Sequence, residues 1–194
     1  IEVLSGVFGI GKTFSDKIDF NFAKNSQIYA LGNEEAMKEA VNKARNDHDS
    51  VGAVVLSVVK NAPAGLGEPL YDKLDSALAA ALMSINGVKA VEIGAGVKAS
   101  ETFGSVNNDE MDELGFLSNN AGGILGGISS GEDIVLKSHF KPTPSIFKEQ
   151  KTLNLQGEVV DFELRGRHDP CIGIRGSVVA TAMIRLVIAD MLLL

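Results

Sequence analysis

Tryptophan is missing from the 194 residues, and aromatic residues make up only 6%. The core must therefore be mostly aliphatic. Cysteine occurs once, at Cys171, so no intrachain disulfide can form. That fits a reducing compartment, and a cytoplasmic location is expected. Three scattered histidines and one cysteine give no basis for a structural zinc site, and no metal is expected. An excess of basic charge is lacking too. The net charge is −7, which argues against a nucleic-acid binder but leaves room for a small anionic ligand held by a local cluster of cations. A long uncharged apolar run is also absent. The most apolar stretch, residues 177–194, is interrupted by Arg185 and Asp190, so a buried or partner-facing helix is expected there and no membrane span. Residues 1–10 lack the basic start and small-residue cleavage site of a signal peptide. There is no Gly-x-Ser-x-Gly elbow, P-loop or dinucleotide fingerprint.

What is present suits an ordinary folded domain. Apolar residues make up 45%, and the length is enough for one sizeable core, read as a single domain over 1–194. The chain opens on Ile1 and stops at Leu194 inside an apolar helical pattern, so a fragment of a longer protein is expected. Residues 1–10 read as a strand entering a turn, and 13–28 as a long, poorly structured excursion. Asn33 reads as an N-cap for an amphipathic helix over 34–46, with Glu34 and Glu35 in its first turn. The β-branched residues of 51–59 read as a strand, 61–69 as a loop, 70–85 as a helix ended by Asn86-Gly87, and 88–93 as a strand. Residues 94–114 read as a polar loop. Ile134, Leu136, Ser138 and Phe140 share one parity, as in a strand, which puts His139 toward solvent or a cleft. Residues 159–164 read as a strand and 177–194 as the closing helix. Long connections without a regular βαβ repeat favour an α+β fold.

Three segments carry candidate chemistry. Residues 118–131 hold five glycines in fourteen positions. Such backbone can approach a flat or phosphorylated ligand, or simply make a tight turn between strands. Lys141-Pro142-Thr143-Pro144-Ser145 puts an ammonium and two hydroxyls on a proline-stiffened turn, which suits either a phosphate clamp or a plain surface turn. Arg165-Gly166-Arg167-His168-Asp169-Pro170 gathers two arginines, a histidine and an aspartate. The arginine forks match phosphate or carboxylate, and Asp169 offers a carboxylate able to act as a base. The bland alternative is a solvated charged turn. His48 reads as solvated, and Cys171 as packed rather than nucleophilic.

In this order and spacing, these segments resemble the chorismate synthase family. The matching pieces are residues 62–69, 72–75, 83–94, 118–131, 141–146 and 166–173; the likeness is weakest over 13–49. The resemblance implies a β-α-β sandwich, here partial, and a homotetramer. It implies a phospho-lyase that converts 5-enolpyruvylshikimate 3-phosphate to chorismate by 1,4-elimination of phosphate, with reduced FMN as cofactor; some members also reduce their flavin with NADPH. Carried over by position, Asn86, Gly87, Gly126, Lys141, Pro142, Thr143, Pro144 and Ser145 contact the flavin. Arg167 lies near flavin and substrate phosphate, and Asp169 acts as the base. Gly87 stands where some relatives have alanine.

The family's His-x-Asp-Gly, Arg-Pro-Gly-His and Arg-Ser-Ser-Ala motifs do not occur in this sequence. The resemblance assigns to them two catalytic histidines, substrate-binding arginines and more of the flavin site. The chain by itself is therefore expected to be inactive, a folded and oligomerising module without turnover.

Overall fold

Residues 134–140 form a strand whose burial alternates as its sequence does. Ile134, Leu136, Ser138 and Phe140 are buried, while Val135, Lys137 and His139 are half-buried. The structure, a computed structural model, describes every residue except Arg165 and Arg167. In chain order the elements are β1 (Glu2–Ile10), β2 (Thr13–Phe14), α1 (Phe20–Asn25), α2 (Glu34–Asn46), β3 (Ala53–Lys60), α3 (Leu74–Met83) and β4 (Val88–Ile93). A 3-10 turn (Gly96–Glu101) and α4 (Gly104–Asn107) follow, then the short hairpins β5 (Met111–Asp112) with β6 (Gly115–Phe116) and β7 (Ile124–Leu125) with β8 (Ile128–Ser129). The chain ends with β9 (Ile134–Phe140), the hairpin β10 (Gln150–Leu153) with β11 (Val159–Phe162), and α5 (Gly173–Leu193).

Five strands form an antiparallel sheet in the order β2-β1-β3-β9-β4. One face packs Val55, Val59, Leu136 and Phe140 against Leu74, Leu78 and Leu82 of α3 and Ala180, Ile184 and Ile188 of α5. Each of these large aliphatic side chains contributes about 1.5–3 kcal/mol relative to exposure. Beside them, Met37 and Val41 of α2 pack with Val7, Ile10, Ala53 and Cys171. On the opposite face, Leu56 meets Leu31, ahead of α2, and Ala23 of α1. His139 lies on that face too, where its Nε2 is 2.9 Å from Glu92 Oε1, and Lys137 Nζ is 3.2 Å from the other carboxylate oxygen.

The expected elements recur with several differences. Residues 13–28 are not a bare loop; they hold β2 and α1, which Asp19 caps by accepting from Phe22 N–H. Asn33 precedes α2 but does not cap it through its side chain. Its φ is 54°, and its amide donates instead to Phe14 O. α3 begins at Leu74 rather than at 70, because a turn closed by Glu68 N–H on Asp72 O precedes it. Within residues 94–114 there are a 3-10 turn, α4 and a strand. The strand expected at 159–164 is the exposed β11, and its partner β10 was not legible as a strand.

α5 starts at Gly173, ahead of the predicted 177. Glycine disfavours helix, yet a Cβ at Gly176 would run into the Phe140 ring. Close packing on the sheet outweighs propensity here. By length and composition α5 is apolar enough to cross a membrane. Its buried residues Ser177, Ala180, Ile184 and Ile188 recur every three or four positions and lie among the core of the sheet and α3. Val178, Val179, Leu186 and Leu193 are exposed.

Candidate functional site

At one end of the sheet, four segments distant in sequence converge. β9 runs out at Phe140 into Lys141, whose N–H donates to Gly87 O at 2.8 Å. This bond ties the Lys141–Ser145 turn to the Asn86-Gly87 turn ahead of β4. Gly87 has φ 93°, and a Cβ there would meet the Ile172 side chain at the entrance to α5. Only glycine takes both the conformation and the contact without strain.

The short connection between α2 and β3, read from sequence only as a helix breaker, forms the floor. Ser50 Oγ donates to Thr143 O at 2.6 Å, Phe147 N–H donates to His48 O at 3.1 Å, and Val51 N–H donates to Pro170 O at 2.8 Å. Lys148 Nζ lies 2.6 Å from Asp49 Oδ2. That hydrogen bond, with another from Ser50 N–H, holds the Asp49 carboxyl below its ordinary value. His48 is exposed, as expected, but its ring meets Phe147 edge-on, and Phe147 in turn lies 5.3 Å from His168.

A cavity of about 390 Å³ opens between these parts, lined by Arg45, His48, Ser145, Phe147, His168 and Asp169. A second, of about 360 Å³, takes in Arg45, Asp169, Cys171 and Arg175. A third, of about 400 Å³, holds Asn86, Phe140, Ile172 and Arg175. Asp169 Oδ2 is 3.2 Å from Arg175 Nη1 in the first turn of α5. Thr143 Oγ1 and His168 Nε2 are buried without a hydrogen-bond partner among the described residues. Ser138 Oγ, on the core side of β9, is a third such atom. An unpaired buried polar atom is costly, so Thr143 and His168 call for a partner beyond the described residues. Cys171 is buried just ahead of α5. Burial pushes its thiol from 9.0 up to about 11, which leaves it protonated and inert at neutral pH, in keeping with the packed role read from sequence.

Asn86, Gly87, Lys141, Pro142, Thr143, Pro144, Ser145 and Asp169 therefore share one end of the sheet. Gly126 does not. It sits between β7 and β8, next to Gly127, whose carbonyl accepts from Leu74 N–H at the start of α3. That is the opposite end of β9, about 20 Å away at the rise of a strand. Arg167 lies outside the described residues. The pattern of the sequence did not single out Arg45, Ser50, Phe147 or Arg175. Ser50 and Thr143 are 93 positions apart, and no periodicity connects them.

Sheet, helical layer and polar end together define an α+β protein whose candidate site residues gather where strand ends meet the N-terminus of α5. A crystal structure of a chorismate synthase shares this fold, with a TM-score of 0.81 and 28% identity over 99% of this chain and 57% of that one. A family model described as Chorismate synthase matches residues 1–193, and the chain belongs to the chorismate synthase family. The chorismate synthase of Campylobacter concisus (strain 13826) is 88% identical over all 194 residues. That of Campylobacter curvus (strain 525.92) is 72% identical over the same length. This chain spans 55% of each of those proteins, about half of their length. Its fold is the partial β-α-β sandwich that the motifs implied, one sheet with a helical layer against it.

Proposed function

We propose that the chain is the C-terminal part of an enzyme that eliminates phosphate from 5-enolpyruvylshikimate 3-phosphate to give chorismate, with reduced FMN as cofactor. One observation carries this reading: the Lys141–Ser145 turn, Asn86-Gly87 and the connection that bears Asp169 converge at one end of the sheet. Those residues fit FMN. Lys141, Thr143 and Ser145 carry the ammonium and hydroxyl donors that a phosphate or a flavin polar edge requires, and the prolines hold them with little entropy left to lose. Bound there, reduced FMN would supply transient electron donation to the substrate.

Asn86, Gly87 and the turn 141–145 would hold the cofactor. Asp169 accepts the proton that the ring loses, while phosphate departs from the other end of the allylic system. Bond changes then balance without net oxidation: one C–H and one C–O bond break, and a new C=C bond forms. Arg167 is the family's cation near the phosphate. Gly126, which the family resemblance assigns to the flavin, lies at the opposite end of β9 and is left out of this cofactor site. The chain works as one domain of a cytoplasmic homotetramer.

Substituting Asp169→Asn in the full-length enzyme tests the assignment. Turnover is expected to fall roughly 10²-fold or more, the size of a lost general base, while FMN affinity and melting temperature stay close to wild type. Unchanged turnover would refute Asp169 as the base, and an equal loss of stability would make it a structural anchor.

A further inference from the structure

We infer that Arg175 is a positioning residue for Asp169, fixing the direction of its carboxylate at the junction of two cavities. The inference rests on the proposed reading of Asp169 as the base. Arg175 Nη1 stands 3.2 Å from Asp169 Oδ2, and among the described residues this is the carboxylate's one ionic contact. Arg175 lines both the cavity that holds Asp169 and Cys171 and the cavity that holds Asn86 and Phe140. It is thus the side chain common to the two halves of the patch.

The backbone that carries it is set firmly. Arg175 lies in the first turn of α5, flanked by Gly173 and Gly176. Those glycines seat the helix directly on Ala53 and Phe140, where a Cβ would collide with either neighbour. Asp169 sits instead on a connection, anchored one residue on by the bond from Val51 N–H to Pro170 O. A carboxylate on a connection takes its direction from whatever it is paired with, and here that partner is carried by a helix locked to the sheet.

The pair is open to solvent, with the Arg175 side chain 71% exposed and that of Asp169 34% exposed. Such ion pairs contribute little to folding, so the contact is a poor candidate for a stability device. Direction matters far more for a base. It must lie within hydrogen-bond reach of its proton, and a misplacement of about 1 Å costs on the order of 10²-fold in rate. Arginine also has five donors in a fixed plane, which sets an angle that a lysine point charge does not.

The experiment is a double-mutant cycle in the full-length enzyme with reduced FMN, comparing Arg175→Gln, Asp169→Asn, the double variant and Arg175→Lys. Arg175→Gln is expected to lower kcat at least tenfold while FMN affinity stays within twofold and the melting temperature holds. Arg175→Lys should recover part of that loss. In the Asp169→Asn background, Arg175→Gln should cost nothing further, because its effect runs through a carboxylate that is no longer there. Full multiplication of the two losses would overturn the proposal, as would wild-type kcat in Arg175→Gln or a fall in melting temperature that accounts for its loss. If Asp169→Asn itself turns over normally, the reading of Asp169 falls first and the role of Arg175 with it. That outcome is distinct from an inert Asp169→Asn beside a fully active Arg175→Gln.

Discussion

Cys171 shows how tertiary burial sets the chemistry of one residue. Its thiol stands at about 11 instead of 9.0 because burial penalises the thiolate. Below pH 9 both folded and unfolded chains keep the proton, and the stability is unaffected. Between pH 9 and about 11 the unfolded thiol ionises while the folded one does not, so stability falls as pH rises. The two-unit gap corresponds to about 3 kcal/mol. Urea unfolding followed from pH 8 to 11 should show that decline, and Cys171→Ala should remove most of it. A profile unchanged by Cys171→Ala would refute the account. The single cysteine, its apolar surroundings in sequence and the lack of a nucleophile motif were enough to mark it as packed. The direction of Asp169 was not legible in the same way, because Arg175 belongs to a helix whose start was placed four residues late.

At the scale of elements, the connection between α2 and β3 matters most. From sequence it is a polar break after a helix. In the fold it carries three of the contacts that hold the Lys141–Ser145 turn and the Asp169 loop in place. Ser50→Ala removes the hydrogen bond to Thr143 O, a loss of about 0.5–1.5 kcal/mol. FMN affinity, measured by flavin fluorescence quenching in the full-length enzyme, should weaken roughly 3- to 10-fold as the turn loosens, with turnover at saturating FMN little changed. Unaltered affinity would separate this connection from the site. β9 is the opposite case. Its alternation Ile134, Leu136, Ser138, Phe140 is local, so both the strand and its buried face could be read before any neighbour was known. The start of α5 could not, since the glycines that weaken it in isolation are the ones that let it approach Ala53 and Phe140.

The whole molecule presents an aliphatic sheet and helix layer with a polar patch at one end, and an apolar stripe of Val178, Val179, Leu186 and Leu193 exposed on α5. The motifs to which the family resemblance assigns catalytic histidines do not occur in this sequence. The 194-residue chain assayed with 5-enolpyruvylshikimate 3-phosphate and photoreduced FMN is therefore expected to form no chorismate; measurable product would overturn that. The sequence by itself determined the family, the α+β class and the strands near 51–59, 88–93 and 134–140, the first of which runs Ala53–Lys60, and it named the turn, aspartate and Asn-Gly pair proposed for the site. Each rests on local pattern or on motifs whose order survives divergence. Only the tertiary structure decided which of those motifs meet. It placed Gly126 a strand's length from Lys141 and made Ser50 the support of Thr143. It also set Arg175 against Asp169. Those relations depend on antiparallel register and on helix–sheet packing between residues far apart in the chain, and no short-range periodicity encodes such distances.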